Sequence, residues 1–173
     1  MDNNNTSENN PSFEGNKMVK YKCLTTDELQ TLEKEFINFL SSMQITGADW
    51  EKMKNNEIEN AEELIIIFSD MVYEKVLGKI QFLEYRDAKT LNIFHCLEDK
   101  IILVGLRVKE HSSLDLTSSE IFDQWAKNNT GSINVIKTEK KYTKERAVEV
   151  FELLQSGSLI TDDKLFNLLI GMM

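Results

Sequence analysis

His95 lies in the most apolar stretch of the chain, Leu91 to Val108, and an imidazole held there at neutral pH can act as a base or a ligand. Acid–base work would need a carboxylate or a nucleophile within hydrogen-bond reach. Its neighbour Cys96 points to the opposite face of a strand, so the sequence offers no local Cys–His dyad. The plainer expectation is a core histidine hydrogen-bonded to backbone. A second candidate is acidic. Glu59, Glu63, Asp70 and Glu74 fall in one sector of a helix at about 100° per residue. Stacked carboxylates hold divalent cations in di-metal bundles, but those sites recruit Glu-x-x-His pairs that this helix lacks. A solvated face opposite the apolar stripe is the simpler reading.

Two further groups suggest partners. Ile66 and Ile67 flank the acidic sector, and with Tyr73 beside Ile66 they form a candidate protein-binding surface. The C-terminal run Leu168 to Met173 offers a weaker one. Lys137, Lys140, Lys141, Lys144 and Arg146 surround Tyr142, as in segments that hold a nucleic-acid backbone and stack a base. Glu139 and Glu145 dilute that patch, so a solvated connection is expected there. The chain contains no P-loop, no GxGxxG, GxSxG or HExxH and no zinc-ligand cluster. No catalytic residue, metal ligand or cofactor is therefore assigned, and the balance leans against an enzyme.

The elements that position these residues centre on 91–108, two apolar runs around a polar turn. A two-residue loop at Asp99-Lys100 pairs Leu97 with Ile102, His95 with Val104, Ile93 with Leu106 and Leu91 with Val108. Both faces are apolar, so the hairpin is expected to be central and covered on both sides. Val19 to Cys23 alternates like an edge strand. Thr25 with Glu28 forms a capping box that opens a helix running to Met43, and Thr46 with Asp49 starts a short one. A long helix is predicted over 58–77, with Ala61, Leu64, Ile65, Phe68, Val72 and Val76 inward and Gly78 at its end. Strands follow at 79–86 and 132–137. Helices are expected from Thr117 through Trp125 (stopped at Asn128 to Gly131), from Thr143 to Gly157, and from Thr161 through Leu169. Residues 1–17, rich in Asn, Ser and Glu, have the composition of a disordered tail. The rest, 18–173, is expected to form a single α+β domain around a mainly antiparallel mixed sheet.

A net charge of −9 disfavours any protein whose main task is to grip a polyanion. Cys23 and Cys96 stand outside any CxxC pattern and are expected to be reduced. No apolar run reaches bilayer-spanning length, and the first residues carry neither a basic nor an apolar signal region. A cytoplasmic protein is expected.

The segments Leu24 to Leu29, Glu33 to Leu40, Ile45 to Trp50, Lys100 to Leu106 and Ile160 to Lys164 resemble those of a family of small Bacteroidota proteins of unknown function. The resemblance covers nearly everything after the Asn-rich tail and implies a discrete bacterial cytoplasmic domain. It carries no activity, ligand or site residue. The function expected from the sequence is a non-enzymatic protein-binding or accessory domain using Ile66, Ile67 and Tyr73, with an unidentified protein partner or a second copy of the chain. The alternative is a small-molecule or metal-binding, enzyme-like domain using His95 or the acidic face (Glu63, Asp70, Glu74). Nucleic-acid contact through Lys140, Lys141 and Arg146 ranks last.

Overall fold

The computed structural model describes residues 19–118 and 131–173. The tail expected at 1–17 and the helix expected through Ile121, Phe122 and Trp125, with its stop at 128–130, lie outside them. By its contacts the chain divides into two compact units, up to Asp70 and from Met71 onward. Six helices and a five-stranded antiparallel sheet are described, the α+β class that the sequence implies.

The first unit is helical: α1 (Thr26–Thr31), α2 (Glu33–Ser42), α3 (Gly47–Asn56) and the first part of α4 (Ile58–Leu77). Both capping boxes form, Thr25 with Glu28 and Thr46 with Asp49. The single helix expected from Thr25 to Met43 is instead broken at Leu32. The Thr31 hydroxyl bonds back to the Asp27 carbonyl at 2.9 Å, a contact that bends helices without disturbing the apolar period. Gln44, at φ 61°, closes α2 in a Schellman turn, with Ile45 N–H on the Leu40 carbonyl and Gln44 N–H on Ser41. Phe36 packs against Phe39, Trp50 and Phe68, with centroids 5.0–6.0 Å apart. The strand expected at Val19 to Cys23 does not form. Its donors go to side chains of α4: the Lys20 and Tyr21 amides reach the Asp70 carboxylate, and the Leu24 amide bonds the buried Ser69 hydroxyl at 3.0 Å.

The second unit holds the sheet: β1 (Phe82–Arg86), β2 (Thr90–Cys96), β3 (Lys100–Val108), β4 (Ile133–Lys141) and β5 (Leu159–Thr161). Their order is β4-β3-β2-β1-β5. Helices α5 (Arg146–Gln155) and α6 (Lys164–Gly171) follow β4 and β5 respectively. The β2–β3 hairpin turns at Glu98-Asp99, with Leu97 N–H on the Lys100 carbonyl at 2.9 Å. Pairing is therefore His95 with Ile102, Ile93 with Val104 and Leu91 with Leu106, two residues away from the expected register. An even slide leaves every side chain on its predicted face. Without a glycine at the tip, no residue type there specifies which pair makes the turn.

One face of the sheet carries the main core at its centre. Leu91, Ile93, Val104 and Leu106 pack with Leu116, Ile133 and, from α6, Phe166 and Leu169. On the other face Cys96 and Ile101 are buried, while Phe94 and Leu103 are half-buried and line a smaller cleft of about 330 Å³ under α5. Gly105 lies on that second face. A Cβ there would sit 2.8 Å from Asn92 Oδ1 and 3.0 Å from the Leu91 carbonyl, beneath the Arg107 guanidinium. Gly105→Ala is expected to cost about 1–3 kcal/mol through overpacking, read as a lower urea midpoint at unchanged m. An unchanged midpoint would mean that Arg107 and Asn92 swing aside freely.

Strand β1 begins at Phe82, not Lys79, because 79–81 still turn out of α4. Strand β4 runs four residues beyond its expected end, where its apolar alternation gives way to charge. Helix α5 starts at Arg146 with no side-chain cap from Thr143, and Thr161 belongs to β5 instead of capping α6.

Candidate functional site

The residues singled out in the sequence are not brought together into a reaction centre. The His95 ring stacks on Phe82 at 4.3 Å and meets Phe166 edge-on at 5.2 Å. Burial holds its pKa below the usual value, so it is neutral at pH 7. Among the described residues no hydrogen bond holds the ring, contrary to the backbone-bonded histidine expected. Among the described residues no carboxylate or thiol is paired with it either, so it serves as a third aromatic plate. Cys96 is buried, and burial pushes its thiol up to about 11.

The acidic sector of α4 is dispersed in its contacts. Asp70 receives two backbone amides, Glu63 and Glu74 each have an intramolecular partner, and Glu59 is exposed. Among the described residues no cluster of three or more His, Cys, Asp or Glu is arranged to hold a metal. Ile66 and Ile67 are half-buried, not exposed, and Tyr73 is also half-buried, edge-on to Phe151 at 5.5 Å. Val76, expected in the core, is 48% exposed instead, and Leu77 takes the buried place.

The basic segment is largely committed internally. Arg146 donates to four carbonyls: Leu97 at 2.9 Å, Leu77 at 3.0 Å, Ile80 at 2.5 Å and Cys96 at 2.9 Å. One guanidinium thus caps the C-terminus of α4 and ties it to the end of β2. Tyr142 donates to the same Leu97 carbonyl at 3.0 Å, and its hydroxyl is pushed up to about 12, chiefly by burial. The buried Glu149 carboxylate accepts from Lys140 Nζ, the Thr143 amide and hydroxyl, and the Lys144 amide, at 2.5–3.0 Å. Lys144 pairs with Glu152, and Lys100 with Glu139. Only Lys137 and Lys141 of the predicted patch carry neither an ion pair nor a side-chain hydrogen bond among the described residues. Two lysines do not make a groove for a nucleic-acid backbone.

The surface that stands out was missed by periodicity. The two edges of the sheet are built differently. Strand β4 is nine residues long, and Lys137, Glu139, Lys140 and Lys141 on it are exposed, the charged edge that discourages further pairing. Strand β5 has three residues and no charge. Leu159 is 73% and Ile160 61% exposed, and among the described residues no strand pairs with its outer side. Beside it opens a cleft of about 530 Å³. Val76, Ile80, Phe82 and Ile160 are its apolar lining, and Lys79, Asp162 and Asp163 its charged lining. Gly157, at φ +97°, ends α5 and turns the chain into β5. Asp162 then bonds the Lys164 amide and ammonium as the chain leaves for α6. The available signal was Leu159-Ile160 enclosed by Gly157 and two aspartates, too short a run to separate from a loop.

Among the described residues no helix is long and apolar enough to cross a membrane. Residues 18–173 match the model of DUF6495, a family of unknown function, and the chain belongs to that family. No curated protein and no solved structure was found to match the chain.

Proposed function

We propose that this DUF6495 member is a non-enzymatic protein-binding module that receives an extended segment of its partner along β5. The observation that supports the reading is the contrast between the two sheet edges. One is long and guarded by charge; the other is short, apolar and flanked by an open cleft. Strand addition draws its affinity from main-chain hydrogen bonds and its specificity from pockets for side chains; β5 has no strand on its outer side among the described residues and stands next to a cleft. The partner surface is thereby moved from Ile66, Ile67 and Tyr73, which are half-buried, to Leu159 and Ile160. In the same reading the protein works in the cytoplasm of a bacterial cell, in keeping with two free cysteines.

Selection from a random peptide display library on the full chain tests this. Enriched peptides are expected to lose binding to the Ile160→Asp variant and to keep it with Lys137→Asp on the opposite edge. Enrichment indifferent to Ile160→Asp, or no enrichment at all, would sink the reading.

A further inference from the structure

We propose that the cleft beside β5 takes an aromatic side chain: the partner segment added to this edge carries a phenylalanine, tyrosine or tryptophan at the position beside Thr161. The proposal rests on the strand-addition reading and names the anchor of the occupant. In the antiparallel β1–β5 pair Thr161 lies opposite Phe82, and Ile160 opposite Leu83. Residues directly across a sheet share a face, so a residue placed beside Thr161 stands on the face of Phe82. Thr161 and Phe82 both line the cleft. Two strand spacings, about 10 Å, part the added backbone from β1. Long side chains leaning toward each other over the short Thr161 can close that gap.

Phe82 is the ring that the fold presents there. His95 stacks on it at 4.3 Å and 18°, and Phe166 meets it at 5.6 Å, so it is held in place and has little freedom to lose on binding. Of these three rings Phe82 alone lines the cleft. A fourth ring set against its open side gains the edge-on or offset-stacked contact that an aliphatic side chain lacks. Val76, Ile80 and Ile160 complete the apolar lining, and about 530 Å³ lies within the range of pockets that bury ligands. Charge does not choose the occupant. Asp162 pairs with Lys164 at 2.7 Å, the same ammonium lies in the field of Asp163, and Lys79 also stands at the cleft. Shape and apolarity are left to select. Size favours a flexible segment over a folded body or a second copy. Strand β5 has three residues, and a contact of that length covers only a small part of the roughly 1,000 Å² that a stable interface buries. A segment that follows the strand and buries one anchor escapes that limit.

Random peptides displayed on phage are selected on the full chain. An enriched peptide is then made with a fluorescent label, as selected and with its aromatic residue replaced by leucine or by alanine. The three are titrated by fluorescence anisotropy against the full chain, Val76→Trp, Phe82→Leu and Ile160→Asp, with circular dichroism to confirm that the variants fold. Enriched peptides are expected to share one aromatic residue. The leucine peptide should bind about fivefold and the alanine peptide about 30-fold more weakly. Val76→Trp, at a half-exposed position, sets a ring of the chain's own in the cleft and should bring the three peptides to one affinity. Phe82→Leu should remove the preference for the aromatic over leucine. Enriched peptides without an aromatic residue, or a preference that survives both substitutions, would overturn the anchor; loss of binding in Ile160→Asp would then leave strand addition standing. No enrichment, or binding indifferent to Ile160→Asp, would overturn both. A concentration-dependent dimer in sedimentation velocity that Ile160→Asp dissolves would make a second copy the occupant and overturn the proposal.

Discussion

Arg146→Ala is expected to destabilise the protein by about 3–4 kcal/mol. The guanidinium serves four carbonyls: Leu77 at the end of α4, Ile80 just after it, Cys96 at the end of β2 and Leu97 just after it. Leu97 also accepts from Tyr142 and Leu77 from the Ile80 amide, so Ile80 and Cys96 lose most. Each acceptor left unpaired costs about 1–3 kcal/mol, and water reaching the half-buried site recovers part of the total. Arg146→Lys should rescue little, because a single ammonium cannot span acceptors that the planar fork meets with three nitrogens. Urea unfolding followed by far-UV circular dichroism gives the answer. A loss below about 1 kcal/mol for Arg146→Ala would mean that solvent satisfies these carbonyls and that the tie is incidental.

The second large effect lies one turn further along α5. Burial alone raises the Glu149 carboxyl, but the donors from Lys140, Thr143 and Lys144 outweigh it and bring it down to about 2. A carboxyl depressed from 4.5 to about 2 stabilises the fold fully above 4.5, and that contribution is lost as the pH falls toward 2. Glu149→Gln keeps the shape and removes the charge. At pH 7 it is expected to cost about 2 kcal/mol, since hydrogen bonds to a charged acceptor are the stronger kind. The difference between variant and wild type should shrink through the acid range and vanish near pH 2. A gap constant from pH 7 to pH 2 would show that the charge of Glu149 is immaterial. Glu149→Ala, which also strands the Thr143 and Lys144 amides, should be the worse of the two at neutral pH.

Elements whose signals are local were legible in the residues. Thr25 with Glu28 and Thr46 with Asp49 opened helices because a capping box needs nothing beyond four consecutive residues. Helix 58–77 was readable from its period, and the central hairpin from its apolar runs. What failed depended on distant partners. The strand expected at Val19 to Cys23 was pre-empted by Asp70 and Ser69, about fifty residues away in sequence, which no alternation pattern encodes. The basic cluster around Tyr142 was correctly seen as a cluster, yet its role was hidden. Arg146 turns inward only because Leu77, Ile80, Cys96 and Leu97 end their elements at one place. The β5 edge escaped notice for a different reason, since three residues are too few for a period.

The sheet order carries one more consequence. Strands β1 to β4 follow one another as neighbours, whereas β5 joins β1 from the far end of the sequence through only three paired residues. That closure sacrifices the most chain entropy for the fewest contacts, so β5 stands at the low end of the local-opening scale. Its amides should exchange with solvent deuterium well before those of β2 and β3. An arriving strand would then have two tasks, to attach and to quiet the segment it attaches to. Slower exchange at Leu159 to Thr161 would record occupancy even where no shape change occurs.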